Sequence, residues 1–235
     1  MRPVECAVIA AAGLGSRLGH GLPKCMLEIE GVTILERLVD ALRPLVRSIR
    51  VVVGYREELI IDLCAHRHRD VILVRNPEFR TTNTAQSMAL GSRACSGKTL
   101  FLDGDLLISP DSLRKFVAHA AGFPLSMGIA RTRSENAVCV HTNGNVNEAG
   151  FCVESFTRDE RLEYEWANVF AGPPDILEGA TEYVFNQLVR HVPIPAFELE
   201  LREIDTVGDL EDARAFAKTL DLSTGASVQR RGHGS

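Results

Sequence analysis

Continuous apolar runs alternate with amphipathic segments through the first half of the chain. The apolar runs, rich in valine, isoleucine and leucine, are "CAVIAAA" from Cys6, "RVVVG" from Arg50, "VILVR" from Val71 and "TLFLDGDLLI" from Thr99. The segments with helical periodicity are "TILERLVDALRPLV", "REELIIDLCAHR", "TAQSMALGSRAC" and "SPDSLRKFVAHAAG". Strands without hydrophobic alternation are typical of parallel sheets that are covered on both faces. The pattern predicts an α/β fold with a doubly wound, mostly parallel, Rossmann-like sheet.

From Phe123 onward the apolar segments are shorter. "PLSMGIA", "AVCVHT" and "AGFCVESF" predict strands, "TNGN" near Asn143 predicts a turn, and "TRDERLEYE" is polar. We expect a smaller region of mixed strands and loops that closes over the first half. One domain is predicted over residues 1–222, with halves at about 1–122 and 123–222. Residues 223–235 lack apolar periodicity and are predicted to be a disordered tail.

Composition excludes several classes of partner. The chain of 235 residues is 45% hydrophobic and carries a net charge of −5, so it offers no broad basic field for a nucleic acid or an anionic membrane. No apolar run approaches the roughly 18 to 20 residues of a membrane span, and the N-terminus lacks the apolar length of a signal peptide. A cytoplasmic protein is expected. The six cysteines form no CxxC pair, which argues against a zinc site or a disulfide framework, and we interpret them as reduced.

A glycine-rich segment, "AAGLGSRLGHGLPK" at residues 11–24, directly follows the first predicted strand. Such a turn favours phosphate binding, because glycine lets successive N–H groups approach an anion. The segment lacks the GK[ST] of a Walker loop, and Leu18 stands where the Rossmann fingerprint has its third glycine. A merely solvated turn with two basic residues, Arg17 and Lys24, is the alternative interpretation.

Four segments together resemble the nucleotidyltransferases that move NMP from an NTP onto a phosphate, phosphonate or sugar phosphate. The glycine segment reads GxGxRL followed by PK, and "RNPEFRTTNTAQSMALGS" is similar to the "NPxxxxTNxxxSL" of the phosphocholine and phosphonate cytidylyltransferase branch, with Met88 for the usual leucine. "FLDGDLLI" and "LREIDTVGDLEDARAF" are the other two segments, and the latter resembles the "EIDxxxDL" of that branch.

The resemblance implies a role for particular residues. Lys24 and Arg17 are the implied catalytic residues, which neutralise the triphosphate and the acceptor anion. Mg²⁺ is the implied cofactor, with Asp105 and Asp205 as its ligands. The implied nucleotide contacts are Ala11, Ala12, Gly13, Gly15, Ser16, Asn83, Ser87 and Asp103. The first half of the chain would then bind the nucleotide and the second half the acceptor.

The local sequence around some of these residues also predicts where they lie in the fold. A strand's period of two predicts that Asp103 and Asp105 share one face, at the strand end where ligands of open α/β sheets bind. Asn83 or a neighbouring threonine is also suited to cap the following helix, and both roles are compatible. Glu203 and Asp209 are expected at the surface or in a cap, Asp209 in the first turn of the last helix.

The predicted reaction transfers CMP from CTP and releases pyrophosphate. An acceptor phosphate or phosphonate is ionised at neutral pH, so no general base is required. Few aromatic residues are available for a choline cage, whereas the chain offers several arginines: Arg75, Arg80, Arg131 and Arg133. The candidate acceptors are therefore small: 2-aminoethylphosphonate, hydroxyethylphosphonate, phosphonoformate or phosphocholine.

The alternatives are a sugar-1-phosphate nucleotidyltransferase that uses UTP or dTTP, and a regulatory protein that binds nucleotide without turnover. The second is disfavoured because a pure binder needs no pair of separated metal carboxylates. The sequence is compatible with a homodimer.

Overall fold

The computed structural model contains a nine-stranded sheet with helices on both faces. It describes residues 4–14, 21–146 and 148–229. Residue 207 and residues 221–229 are described by their backbone alone. The strands are β1 (Cys6–Ala11), β2 (Glu28–Ile29), β3 (Val32–Thr33), β4 (Ser48–Val53), β5 (Ile72–Arg75), β6 (Thr99–Asp103), β7 (Leu106–Ile108), β8 (Ser126–Arg131), β9 (Cys139–Asn143), β10 (Cys152–Thr157), β11 (Tyr164–Gly172), β12 (Ile194–Glu198) and β13 (Leu201–Glu203). The α-helices are α1 (Ile34–Leu42), α2 (Glu57–Arg67), α3 (Thr84–Ser92), α4 (Pro110–Ala120), α5 (Val184–Leu188) and α6 (Val207–Gln229).

The strand order is β5-β4-β1-β6-β11-β8-β12-β10-β9. The first four strands are parallel, and Ile9 at the centre of β1 pairs with Val51 on one side and Leu102 on the other. β11 then enters antiparallel to both β6 and β8. The doubly wound parallel sheet is therefore confirmed for the first half of the chain, and the second half is mixed, as predicted.

Alternate residues of β1 point into two separate cores. Ala7 and Ile9 pack with residues of α1, α2, α4 and α6, whereas Cys6 and Val8 pack with residues of α3 and α5. Because both faces of the strand are covered, its sequence has no polar alternation. The sheet is thus covered by helices on both sides.

One strand prediction needs correction. "TLFLDGDLLI" forms two strands, because the Gly104 N–H donates to the Ala10 carbonyl at 2.9 Å and the chain turns there. The second strand, β7, leaves the main sheet and pairs with β13. In the second half of the chain, strands β8 to β12 extend the same sheet.

The last helix continues past the predicted domain boundary at residue 222. α6 spans Val207–Gln229, so the predicted tail begins within this helix, and residues 230–235 lie outside the described part of the chain. Near its start, Asp209 Oδ2 accepts hydrogen bonds from the N–H groups of Thr206 and Asp205, which confirms its capping role. None of the helices within the described residues is both long enough and apolar enough to cross a membrane.

Candidate active site

A cleft of about 560 Å³ lies beyond the carboxyl ends of β1 and β6. This is the edge of an open α/β sheet at which ligands bind. Its walls come from five parts of the sequence: the segment after β1, the region from Phe79 to Ser87, the β6–β7 turn, Tyr183 before α5, and the segment around β13. The lining residues that carry charge are Lys24, Arg80, Asp103, Asp105, Glu203 and Asp205.

The wall that follows β1 is formed by main chain and small side chains up to the exposed Leu14. Ala11, Ala12 and Gly13 line the cleft, and a Cβ built on Gly13 would have no atom within 4 Å. Gly21, farther along the segment, has a φ of +62°. The remaining predicted residues of the loop, Gly15, Ser16 and Arg17, lie outside the described residues, so their roles stay predictions.

Lys24 enters the cleft directly after Pro23, whose φ of −56° fixes the direction of the chain into a 3₁₀ turn at Lys24–Met26. Its side chain is 19% exposed, and its Nζ donates to Asp105 Oδ2 at 2.9 Å and to Asp205 Oδ1. Burial lowers the pKa of Lys24, but the two carboxylates more than offset this, and its pKa lies above the ordinary value. The ammonium is therefore charged at neutral pH.

The β6–β7 turn supplies two carboxylates to the floor of the cleft. Asp103 ends β6 and Asp105 lies in the turn, so a strand's period of two is not what brings them together, although both do line the cleft. Gly104 between them lies against β1, where an added Cβ would be 2.9 Å from the Ala10 carbonyl oxygen. Only glycine therefore lets this turn approach β1 so closely.

Three carboxylates form a group that we call the acidic cluster: Asp105, Glu203 and Asp205. Each offers one oxygen, and these oxygens lie within 4.8 Å of one another. Asp205 follows β13, and Glu203 ends that strand, with its Oε2 accepting a hydrogen bond at 3.2 Å from Asn168 Nδ2. Glu203 was expected at the surface or in a cap, and this expectation is wrong, because the strand points it inward beside Asp205.

Burial and the charge of neighbouring carboxylates raise the pKa of two carboxyl groups in the cleft, Glu203 and Asp103. Burial, followed by the charges of Asp105 and Asp205, raises the pKa of Glu203 to about 9. Burial and then Asp105 raise the pKa of Asp103 well above its ordinary value. Oδ1 of Asp103 and Oδ1 of Asp105 are buried and have no hydrogen-bond partner among the described residues. A cation bound here would stabilise the ionised forms of these carboxyl groups.

Asn83 and Ser87, the predicted nucleotide contacts on α3, both line the cleft. Asn83 is the N-cap of α3: its Oδ1 accepts from the Gln86 N–H, and its Nδ2 donates to the Thr181 carbonyl at 3.1 Å. Ser87 Oγ accepts from Asn76 Nδ2 at 3.0 Å. The capping role is confirmed, and direct contact with a nucleotide stays a prediction.

Of the four arginines considered from the sequence, Arg80 alone lines this cleft, where its guanidinium lies 5.2 Å from the centre of the Phe79 ring. Arg75 pairs with Glu57, whereas Arg131 and Arg133 line a neighbouring cleft. The aromatic side chains of the cleft lining are Phe79 and Tyr183. Two aromatic rings do not make a three-sided cage for a quaternary ammonium.

Comparison with known sequences identifies the family to which this fold and cleft belong. Residues 7–169, well over half of the chain, match the MobA-like NTP transferase domain. The chain belongs to this family. The nucleotidyltransferase resemblance drawn from four short segments is therefore confirmed at the level of the family.

A curated relative is similar to this chain over part of its length. The bifunctional protein GlmU of Neisseria meningitidis is 40% identical over 119 residues, which are 49% of this chain and 25% of that protein. The chain thus matches about a quarter of the length of this curated relative.

Solved structures show the same fold. A CTP:phosphocholine cytidylyltransferase from Streptococcus pneumoniae superposes with a TM-score of 0.71 at 18% identity, covering 91% of this chain and all of the other. A UDP-glucose pyrophosphorylase from Acinetobacter baumannii superposes with a TM-score of 0.72 at 13% identity, covering 94% and 99%. At such low identity, these likenesses speak for the fold alone.

Proposed function

We propose that the chain is an Mg²⁺-dependent cytidylyltransferase that transfers CMP from CTP to a small phosphonate or phosphomonoester and releases pyrophosphate. The observation that carries this proposal is the position of Lys24, which lies between Asp105 and Asp205 beside the main chain after β1. A cation, metal-ligand oxygens and open backbone are the three features that a triphosphate site requires.

The acidic cluster fits a magnesium ion. Mg²⁺ prefers hard oxygen ligands and is usually bound through one or two carboxylates together with substrate phosphates. Asp105 and Asp205 are the proposed ligands, and Glu203 offers a third carboxylate within 4.8 Å of both. The unpartnered Oδ1 of Asp105 supports this assignment. When bound, the ion would supply positive charge to the phosphate oxygens.

The protein's own side chains have separate tasks in this mechanism. Lys24 is a compact donor, charged at neutral pH, that can reach a phosphate oxygen, and it also holds Asp105 and Asp205 in position. Ala12 and Gly13 leave room for an anion to approach the main chain. An acceptor oxygen attacks the α-phosphorus in line with the leaving pyrophosphate, and this oxygen is already ionised at neutral pH. No residue is needed to remove a proton.

The cleft favours a small anionic acceptor. Arg80 is exposed and stacked on Phe79 at the rim, where it is available to a phosphonate or phosphate. A choline headgroup is less well supported, because the cleft lining offers two aromatic rings. CTP is proposed from the resemblance of the Asn83 segment to the cytidylyltransferase branch, and the fold likeness to a cytidylyltransferase is consistent with it.

A sugar-1-phosphate acceptor with UTP or dTTP is the second candidate function. The observation that favours it is the fold likeness to a UDP-glucose pyrophosphorylase. Its TM-score is 0.72, and that of the cytidylyltransferase is 0.71. Fold likeness therefore does not distinguish the two candidate functions, and an activity assay is needed to decide between them.

The deciding experiment incubates the purified chain and Mg²⁺ with each of four NTPs and a panel of acceptors, and measures pyrophosphate release. We expect release with CTP together with a phosphonate or phosphomonoester. Equal turnover with UTP and glucose 1-phosphate would contradict the cytidylyl assignment.

Asp105→Asn and Asp205→Asn should each lower turnover by about 100-fold or more. Asp111→Asn, an exposed aspartate on α4, is the matched control and should retain full activity.

A further inference from the structure

Two cysteines from distant parts of the sequence meet at the end of the sheet away from the cleft. Cys6 is the first residue of β1, and Cys95 lies just after α3. Their Sγ atoms are 2.6 Å apart, and 89 positions separate the two residues. The cleft begins at Ala10, four residues farther along β1 and roughly 13 Å away at 3.3 Å per residue. This pair is therefore separate from the proposed active site.

The two thiols have unlike surroundings. Cys6 is 2% exposed, whereas Cys95 is only partly buried and open to solvent. The hydrogen bond with Cys6 lowers the pKa of Cys95 to about 7, burial acts in the opposite direction, and the Arg50 guanidinium lowers the pKa further. The same hydrogen bond and burial raise the pKa of Cys6. Cys95 is thus the thiol that ionises more readily near neutral pH, and Cys6 is its protonated partner.

We propose that Cys95 and Cys6 form a reversible modification site, in which a hydroperoxide oxidises Cys95 and Cys6 closes a disulfide with it. The Cys95 thiolate attacks the peroxide, its O–O bond breaks, and Cys95 becomes a sulfenic acid as hydroxide leaves. The Cys6 sulfur then attacks the sulfenic sulfur, the S–O bond breaks, and the Cys6 proton leaves with the oxygen as water. Two thiols and one hydrogen peroxide give one disulfide and two waters.

The bond would join the beginning of β1 to the connection between α3 and β6. Closing a loop of about 90 residues restricts the unfolded chain strongly, so the oxidised protein should melt several degrees higher than the reduced one. A thiol-containing reductant such as dithiothreitol should reverse the change by disulfide exchange.

The test treats the reduced full-length chain with one equivalent of hydrogen peroxide at pH 7 and then counts free thiols in denaturant. We expect the count to fall from six to four and the mass to fall by about 2 Da, because two hydrogens leave. Peptide mapping of the unreduced protein should recover Cys6 linked to Cys95. Because mapping uses the unmodified sequence, it does not depend on the folding of any variant.

Variants supply the matched controls. Cys95→Ser should abolish the loss of two thiols, whereas Cys152→Ser, at another partly exposed cysteine whose pKa is raised by burial, should lose two thiols as the wild type does. A disulfide that maps to any other pair would overturn the proposal. So would a protein that keeps all six thiols, or one in which Cys95 accumulates sulfinic acid without bonding to Cys6.

Discussion

Lys24 joins two carboxylates from distant parts of the sequence, Asp105 from the β6–β7 turn and Asp205 from the segment after β13. All three side chains are less than a quarter exposed, so solvent screens their charges only in part. Lys24 therefore stabilises the fold as well as serving the proposed reaction.

The first prediction follows from this double role. Lys24→Met should abolish most transfer activity, by about 100-fold. Measured with EDTA, it should also lower the free energy of unfolding by about 1–3 kcal/mol, because it leaves partly buried carboxylates without their cation. Lys115→Met, at an exposed lysine of α4, should change neither property.

A double-mutant cycle separates the structural part of this effect. In an Asp105→Asn background, Lys24→Met should cost less stability, because one of the carboxylates that it compensates has been removed. Urea titrations of the four proteins give the coupling energy. Equal costs in both backgrounds would show that Lys24 acts on stability through packing alone.

The second prediction concerns Gly104. An alanine Cβ there would be 2.9 Å from the Ala10 carbonyl oxygen and 3.2 Å from the Ala11 Cβ, and neither atom is the flexible end of a long side chain. Gly104→Ala should lower stability by about 1–3 kcal/mol and reduce turnover, since the turn that carries Asp105 must shift. Gly122→Ala, whose Cβ would be no closer than 3.6 Å to its neighbours, should change stability by less than about 0.5 kcal/mol.

Single residues show what the sequence can and cannot reveal about this site. Asp105, Asp205 and Lys24 were predicted from short segments, and the structure brings all three together. Glu203 was missed, although it lies only two residues before Asp205 in the same short segment. Its partner Asn168 could not be predicted, because their contact spans 35 positions.

At the scale of elements, α1 begins with a capping box that also ties it to α2. The Thr33 N–H and hydroxyl donate to Glu36 Oε2, the Glu36 N–H donates to Thr33 Oγ1, and Arg67 donates to Glu36 Oε1 at 2.8 Å. Burial raises the pKa of Glu36, but the bonds from Thr33 and Arg67 outweigh this and lower it below the ordinary value. The ionised carboxylate thus stabilises the folded state.

The third prediction gives this effect its dependence on pH. A carboxyl group with a lowered pKa contributes stability that is present above its unfolded pKa, about 4.3, and is lost as the pH falls through the folded value. Glu36→Gln should therefore cost about 1 kcal/mol at pH 7, and the cost should shrink steadily below pH 4. Thermal melts across this range measure it. Glu182→Gln, at an exposed glutamate, should leave the stability unchanged across this pH range.

Elements with strong local signals were predicted well, and those set by distant pairing were not. The four helices of the first half and the strands β1, β4 and β5 follow from periodicity and apolar runs. The insertion of β11 between β6 and β8 depends on partners more than 30 residues away, which no local pattern encodes. The division of β6 from β7 depends on the contact of Gly104 with β1.

At the scale of the whole molecule, the two halves of the chain share one sheet. β11 pairs with β6, and this places Phe170 beside Phe101 with their rings stacked at 4.6 Å between centres. Both side chains are fully buried. α6, near the end of the chain, packs back against β2 near its beginning. The boundary near residue 122 therefore crosses a continuous core.

The last prediction is that neither half is an independent unit. The full chain should unfold in a single transition, seen at the same midpoint by circular dichroism and by Trp166 fluorescence. A fragment of residues 1–122 should not melt cooperatively, because it exposes the hydrogen-bonding edge of β6 and the Phe101 ring. Phe170→Ala in the full chain should lower stability by about 3–5 kcal/mol while keeping one transition, since the cavity lies in a core that both halves build. Two separate transitions, or a fragment that melts as sharply as the full chain, would show that the first half folds without the second.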